Sequence, residues 1–228
     1  MKNKNVIIGI VVAVIVAAVV ACVIIFTNNN NNTTTSSNGN QENGNSSVSE
    51  NKDVDAIDNN DNYYVSIKGK KFKVGDKISD LKEIGLKQQD RVLSEKVKKN
   101  TYVIGAGSIL NDAGKRVINL TPYNPTDDTI TVADAVIGGC EVGDYLYSKI
   151  DKEVLDLDVE VGGGIKLGST LEDVKKVFGE TDTTYTAESL GYTKYTYKSK
   201  KIYKSYEFTI DKDGKVSKIY WQNLAYND

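Results

Sequence analysis

Three stretches with different patterns of apolar and polar residues follow one another along the chain. The first is a continuous apolar segment that begins at Val6 and ends at Phe26, and its only polar group is the thiol of Cys22. At about 1.5 Å per residue, a helix of this length spans roughly 31 Å, which matches a hydrocarbon core of about 30 Å. The pattern therefore predicts a transmembrane helix within residues 1–26.

The charges on either side of this segment predict its orientation. Lys2 and Lys4 precede it, and the first charged residue after it is Glu42. Positive flanks stay on the cytoplasmic side, so we expect a single-pass protein of the cell membrane with its N-terminus in the cytoplasm and the rest outside. Residues 19–22 also resemble the lipobox of bacterial lipoproteins, in which Cys22 would become a lipidated N-terminus. Cleavage as an ordinary signal peptide is a further alternative.

The second stretch, residues 27–62, is predominantly polar. It contains 13 asparagines and no aromatic residue. Such a composition cannot bury enough apolar surface to offset the entropy lost on ordering. We therefore expect a disordered linker that holds the following domain away from the membrane.

The third stretch begins at residue 63 and contains an internal repeat. Residues 72–85 align with residues 165–179 at an offset of 93, with one residue inserted in the second copy. Each copy shows a short strand, a glycine, a short amphipathic helix and a closing glycine, which is suited to a left-handed C-cap. The alignment predicts two tandem repeats, residues 63–155 and 156–228.

The helix of the second copy has a clear start and one apolar side. Thr170 is placed as its N-cap, and Asp173 lies three residues later, which is a capping-box spacing. Leu171, Val174 and Phe178 fall on one side of the helix. A helix this short is unstable alone, so we expect that side to pack on a sheet.

The residues after this helix predict the sheet. Three alternating segments joined by short polar turns favour an antiparallel meander: residues 191–198, 202–210 and 215–221. Their parity directs Tyr206 and Phe208 toward the helix and Tyr203, Lys218 and Tyr220 away from it. The predicted fold class is α+β: a transmembrane helix, a disordered linker, and two repeats that each pack a short helix on an antiparallel sheet.

Composition excludes several classes of function. The chain has 29 Lys+Arg against 31 Asp+Glu, no histidine and two cysteines. The charge balance argues against a nucleic-acid partner. The absence of histidine excludes Ser-His-Asp and Cys-His catalysis and His-ligated zinc, and two cysteines cannot form a disulfide framework. We expect no cofactor and no bound metal.

Two candidate catalytic groups remain. Ser79 and Lys82 have the Ser-x-x-Lys spacing that places a hydroxyl and an amine one helical turn apart. The Ser-Asp-Asn and Lys-Thr-Gly motifs that accompany it in penicillin-binding enzymes are missing, so a chance match is the favoured interpretation. Cys140 is expected to be buried as a small apolar residue, since no histidine is present to activate it.

The second copy resembles a known family. Its order of motifs is similar to the α/β unit of the beta-lactamase-inhibitor-protein-like and outer-membrane assembly lipoprotein (SmpA/OmlA) superfamily. The motifs are Leu167-Gly168-Ser169-Thr170, Glu172-Asp173-Val174, Phe178-Gly179, Tyr195-Thr196-Tyr197, Tyr206-Glu207-Phe208 and Asp213-Gly214-Lys215-Val216 with Ile219. Tandem copies of this unit occur in tethered surface proteins of Gram-positive bacteria. The resemblance implies protein binding through an open sheet face, although the inhibitor proteins carry internal disulfides and Cys140 has no partner cysteine in the outer domain.

The sequence thus favours a membrane-anchored extracytoplasmic binding module that is not an enzyme and recognises a protein or a cell-wall component through a sheet face. The expected contact patch is Tyr203, Lys218 and Tyr220, because tyrosine is favoured in binding surfaces. One alternative is a structural or envelope-assembly accessory protein. Another is a small surface hydrolase that uses Ser79 and Lys82.

Overall fold

The strands account for most of the regular structure. The computed structural model describes residues 57, 63–86, 88–111, 113–199 and 204–224. The strands are β1 (Tyr64–Ile67), β2 (Lys70–Lys73), β3 (Lys96–Val97), β4 (Ile109–Leu110), β5 (Arg116–Tyr123), β6 (Ile130–Thr131), β7 (Val136–Gly143), β8 (Glu160–Val161), β9 (Ile165–Lys166), β10 (Thr184–Ala187), β11 (Tyr192–Lys198), β12 (Lys204–Asp211) and β13 (Val216–Asn223).

In the described part of the chain, the helices are few and short. The α-helices are α1 (Asp90–Leu93), α2 (Lys152–Leu155) and α3 (Leu171–Phe178), and the 3-10 helices are Ile78–Ile84, Tyr147–Lys149, Gly162–Gly164 and Glu188–Leu190. The helix predicted in the first copy forms as the 3-10 helix Ile78–Ile84, in which Ile78 and Leu81 are buried.

The described strands form three sheets, and every pairing is antiparallel. A seven-stranded sheet has the order β10-β11-β12-β13-β7-β5-β4. A four-stranded sheet has the order β2-β1-β8-β9, and β3 pairs with β6. The meander predicted after α3 is confirmed as β11, β12 and β13, with Tyr206 opposite Trp221 and Phe208 opposite Ile219.

The predicted fold class, α+β with a separate sheet in each of two repeats, is wrong. β7 from the first half pairs with β13 from the second half, from Lys218 opposite Gly143 to Gln222 opposite Gly139. One antiparallel sheet therefore includes strands of both halves and dominates the structure. The aligned segments share only the local chemistry of a strand, a glycine and a helix. β13 instead pairs with β7 because an open edge would leave its main-chain donors and acceptors unpaired.

The fold class also included a transmembrane helix. Within the described residues, no helix combines the length and the apolar character needed to cross a membrane. The segment from Val6 to Phe26 lies outside the described residues, as do Cys22 and nearly all of the predicted linker. Ile57 is the exception in that linker, because it is 2% exposed and belongs to the core.

The prediction for α3 is confirmed in detail. The Thr170 hydroxyl accepts a hydrogen bond from the Asp173 N–H at 3.1 Å, and the Asp173 carboxylate accepts one from the Thr170 N–H at 2.8 Å. This reciprocal pair fixes the first turn of the helix. Val174 and Phe178 are buried, and Leu171 packs against the core.

The core lies between one face of the seven-stranded sheet and the elements that cover it. The Phe178 ring of α3 lies 5.2 Å from that of Tyr206 and 5.4 Å from that of Phe208. Beside it, Tyr63 packs on Tyr206 at 4.9 Å and on Trp221 at 5.6 Å. The Tyr63 hydroxyl also donates to the main-chain carbonyl of Gln222. The helix and Tyr63, just before β1, therefore cover the same side of the sheet.

Candidate functional site

The side of the seven-stranded sheet opposite α3 carries a layer of tyrosine and charged side chains. We define it as the open face, and its residues are Glu141, Tyr145, Tyr192, Lys194, Glu207, Lys218 and Tyr220. Strand pairing brings them together, because Glu207 lies opposite Tyr220 and Tyr220 lies opposite Glu141. Residues directly opposite on one face of an antiparallel pair lie about 5 Å apart and interact directly.

Tyr220 lies at the centre of this layer, between two carboxylates. Burial raises the pKa of its phenol to about 12, and Glu141 and Glu207 add to the rise, while a hydrogen bond with Thr121 lowers it. Gly139 makes room for the hydroxyl, because a Cβ at that position would lie 3.2 Å from the Tyr220 oxygen. Tyr220 is therefore a neutral hydrogen-bonding group at physiological pH.

Lys218 is enclosed by its neighbours on the open face. Its Nζ lies 4.1 Å from the centre of the Tyr145 ring and 3.6 Å from Glu141 Oε1. The side chain is only 12% exposed as a result. Tyr145 in turn stacks on Tyr192, with ring centres 4.8 Å apart and planes 14° apart. The cation is thus neutralised and held in one position.

A second ion pair completes the layer. Lys194 Nζ lies 2.7 Å from Glu207 Oε1, and both side chains are about a quarter exposed. Burial, the largest single influence, lowers the Lys194 pKa, but the hydrogen bond and charge of Glu207 act against it and the pKa is raised overall. Each charge on the open face therefore has a partner of opposite sign, and these contacts hold the side chains in place.

The structure brings part of the predicted contact patch together. Lys218 and Tyr220 lie two residues apart on the same face of β13, as parity predicts, while Tyr203 lies outside the described residues. Sequence reasoning missed Glu141, Tyr145 and Tyr192. Tyr192 could have been found from the parity of β11, but Tyr145 precedes a 3-10 helix and had no periodic signal. Glu141 could not be placed without knowing that β7 pairs with β13.

The alternative catalytic pair, Ser79 and Lys82, lies on the 3-10 helix Ile78–Ile84. Lys82 borders a cavity of about 390 Å³ whose lining also includes Gly85, Gln88 and Leu93, but not Ser79. Cys140 is buried, and burial followed by the charge of Glu141 raises the pKa of its thiol to about 12. Within the described ranges, no group of three or more Cys, Asp or Glu residues could hold a metal ion.

The stability of the domain is expected to fall in alkaline solution. Burial is the main reason that the pKa values of Tyr63, Tyr206 and Tyr220 are raised above the usual value of about 10. The folded state then holds more protons than the unfolded state near and above pH 10, so the stability that these phenols contribute is fully present below pH 10 and decreases toward pH 12 and beyond. Urea titrations at pH 8, 10 and 11 should show this decrease, and Tyr220→Phe should reduce its slope. A flat profile would contradict the burial of these phenols.

Comparisons with known proteins give no relative. No protein-family model matches the chain, and no curated protein and no solved structure is significantly similar to it. The resemblance to the SmpA/OmlA-like and beta-lactamase-inhibitor-protein-like unit stays a prediction from the sequence.

Proposed function

We propose that this protein is an extracytoplasmic binding module, held at the cell membrane by its apolar N-terminal segment, that recognises another protein through the open face. One observation carries the proposal: the open face presents Tyr145, which stacks on the buried Tyr192, beside neutralised ion pairs that hold one another in place. Tyrosine is enriched in protein interfaces, where it gives a large amphipathic contact at a small entropic cost.

The paired charges favour a protein as the ligand. Because Lys194 is paired with Glu207 and Lys218 with Glu141, the face offers both signs of charge within a short distance. A surface of this kind discriminates among partners through complementary charge. Pre-organised side chains also lose little conformational entropy on binding, so more of the contact energy appears as affinity.

The location rests on the sequence pattern. Lys2 and Lys4 before the apolar segment favour export of everything that follows it. The intact mass of the mature protein distinguishes a retained segment from cleavage before Cys22 with lipid attachment. In both cases the open face lies outside the cytoplasm.

A double substitution on the open face tests the proposal. Tyr145 is 43% exposed, so Tyr145→Ala with Lys194→Ala removes contact area at a small cost to folding, less than about 2 kcal/mol. Partner capture in intact cells, measured by chemical crosslinking and quantitative mass spectrometry, should fall at least about tenfold, since two central interface residues typically contribute more than 1.4 kcal/mol together.

The matched control is Glu172→Ala with Lys176→Ala, which changes two exposed residues on α3, on the other side of the sheet. This control should leave capture unchanged. Equal losses in both variants would contradict recognition by the open face. Capture that survives both substitutions would favour the alternative of a structural or envelope-assembly accessory.

A further inference from the structure

The outer edge of β10 is the least protected edge of the described sheets. β10 is the terminal strand of the seven-stranded sheet, and no other described strand pairs with its outer side. Thr184, Tyr185 and Thr186 are all exposed, Tyr185 by 61%. An edge strand presents unpaired main-chain donors and acceptors on which another chain can add a strand.

The hydrogen-bond pattern shows which groups point outward. The Thr196 N–H of β11 donates to the Thr183 carbonyl at 2.9 Å. Bonding alternates along an antiparallel pair, so the main-chain groups of Tyr185 face β11 and those of Thr184 and Thr186 face outward. The Thr184 N–H already donates to the Asp182 carbonyl at 3.1 Å. The carbonyls of both threonines and the N–H of Thr186 therefore remain directed at an incoming strand.

The other sheet edges carry the features that block strand addition. β2 has lysines at three of its four positions, and β3, β4, β6 and β9 are each two residues long, with an irregular register between β4 and β5. Lysines, short strands and bulges are the usual means of protecting an edge. β10 has none of them: its four residues are Thr, Tyr, Thr and Ala, and its register with β11 is continuous.

The charges at the two ends of β10 indicate what would pair with it. Asp182 and Glu188 are exposed and lie six residues apart, on either side of an uncharged strand. We propose that β10 accepts an antiparallel strand from another protein, an extended segment with an uncharged β-forming centre and a lysine or arginine at each end. A second copy of this chain fits less well. The register that uses both Thr184 and Thr186 would bring Asp182 near Glu188 of the second copy at each end of the pair, and like charges close together are destabilising.

A pair of peptides tests both the edge and the charge. The probe KTVTVTK brings its two lysines to the ends of β10, near Glu188 and Asp182, when it pairs antiparallel with β10, and ETVTVTE reverses the charge. Binding of fluorescently labelled peptide to the full chain is measured by anisotropy. We expect the lysine peptide to bind roughly fivefold tighter than the glutamate peptide, because each end pair contributes modestly. Equal binding of the two peptides would overturn the proposed partner chemistry.

Two substitutions at one position test the strand pairing. Thr186→Pro removes the outward N–H, which proline tolerates on an edge, whereas Thr186→Val keeps it. Thr186→Pro should weaken binding of the lysine peptide about tenfold, and Thr186→Val should change it less than about twofold. Both should match the thermal midpoint of the wild-type chain within a few degrees. Undiminished binding to a folded Thr186→Pro variant would overturn the proposal. A wild-type chain that sediments as a dimer and becomes a monomer with Thr186→Pro would also overturn the proposal, because β10 would then pair with a second copy of this chain.

Discussion

Replacing Phe178 with alanine is expected to lower the free energy of unfolding by about 3 to 5 kcal/mol, a large fraction of the stability of a domain of this size. The Phe178 side chain is 1% exposed and is the main contact of α3 with the sheet. Its ring lies 5.4 Å from that of Tyr197, 5.2 Å from that of Tyr206 and 5.4 Å from that of Phe208. Alanine would leave a cavity among these rings that rigid strands cannot close.

Chemical denaturation followed by tryptophan fluorescence measures this effect, since Trp221 lies in the same core. Phe178→Leu is the matched control, because it keeps most of the apolar volume and should cost less than about 2 kcal/mol. The strands of both halves share one sheet, so fluorescence and far-ultraviolet circular dichroism should report a single transition. Two separate transitions in Phe178→Ala would contradict the joined sheet.

Gly143→Ala is expected to destabilise the junction between the two halves by at least about 3 kcal/mol. Gly143 ends β7 opposite Lys218 of β13 and has a φ of 103°. A Cβ there would lie 2.2 Å from the Ser217 carbonyl oxygen and 2.9 Å from the Lys218 Cα. Both atoms are main chain, so the strands would have to separate to admit the methyl group.

Gly114→Ala is the matched control for this substitution. Gly114 also has a positive φ, 77°, but a Cβ there meets no atom within 4 Å. Its substitution should cost only the intrinsic penalty for a left-handed residue, about 1 to 2 kcal/mol. Thermal or urea unfolding gives the loss of stability in each variant, and the difference between the two losses reports the close approach of β7 to β13. Equal losses of stability would contradict that approach.

Much of the second half of the fold could be predicted because its signals are local. The cap formed by Thr170 and Asp173, the buried side of α3 and the alternation along β12 and β13 depend on residues near one another in sequence. Each of these predictions is confirmed. Local periodicity determines which face of an element is apolar, and the structure follows it here.

The joining of the two halves could not be predicted from the same signals. β7 contains Gly138 and Gly139, which weaken a strand prediction, yet it is the strand that extends the sheet beyond β13. A Cβ at Gly138 would lie 2.6 Å from the Tyr123 Cβ, so glycine allows the close approach of β5 and β7. The need for glycine at this position can be inferred only when β5 is known to be the partner strand of β7.

For the candidate site, likewise, the local pattern could be predicted and the contacts between distant segments could not. The parity of β13 places Lys218 and Tyr220 on one face. It does not show that Lys218 is enclosed by Tyr145 and Glu141, because these residues come from a loop and from a strand of the other half. The open face is thus a product of strand pairing between distant segments.

Site-specific photo-crosslinking in intact cells tests the proposed role of the open face most directly. A photoreactive amino acid would replace Thr196 or Gln222, which lie beside the open face on the same side of the sheet, or Glu172 or Lys176 on α3. We predict that Thr196 and Gln222 crosslink to one and the same protein and that the two α3 positions do not. Crosslinks from α3 alone, with none from the open face, would contradict recognition through this side of the sheet.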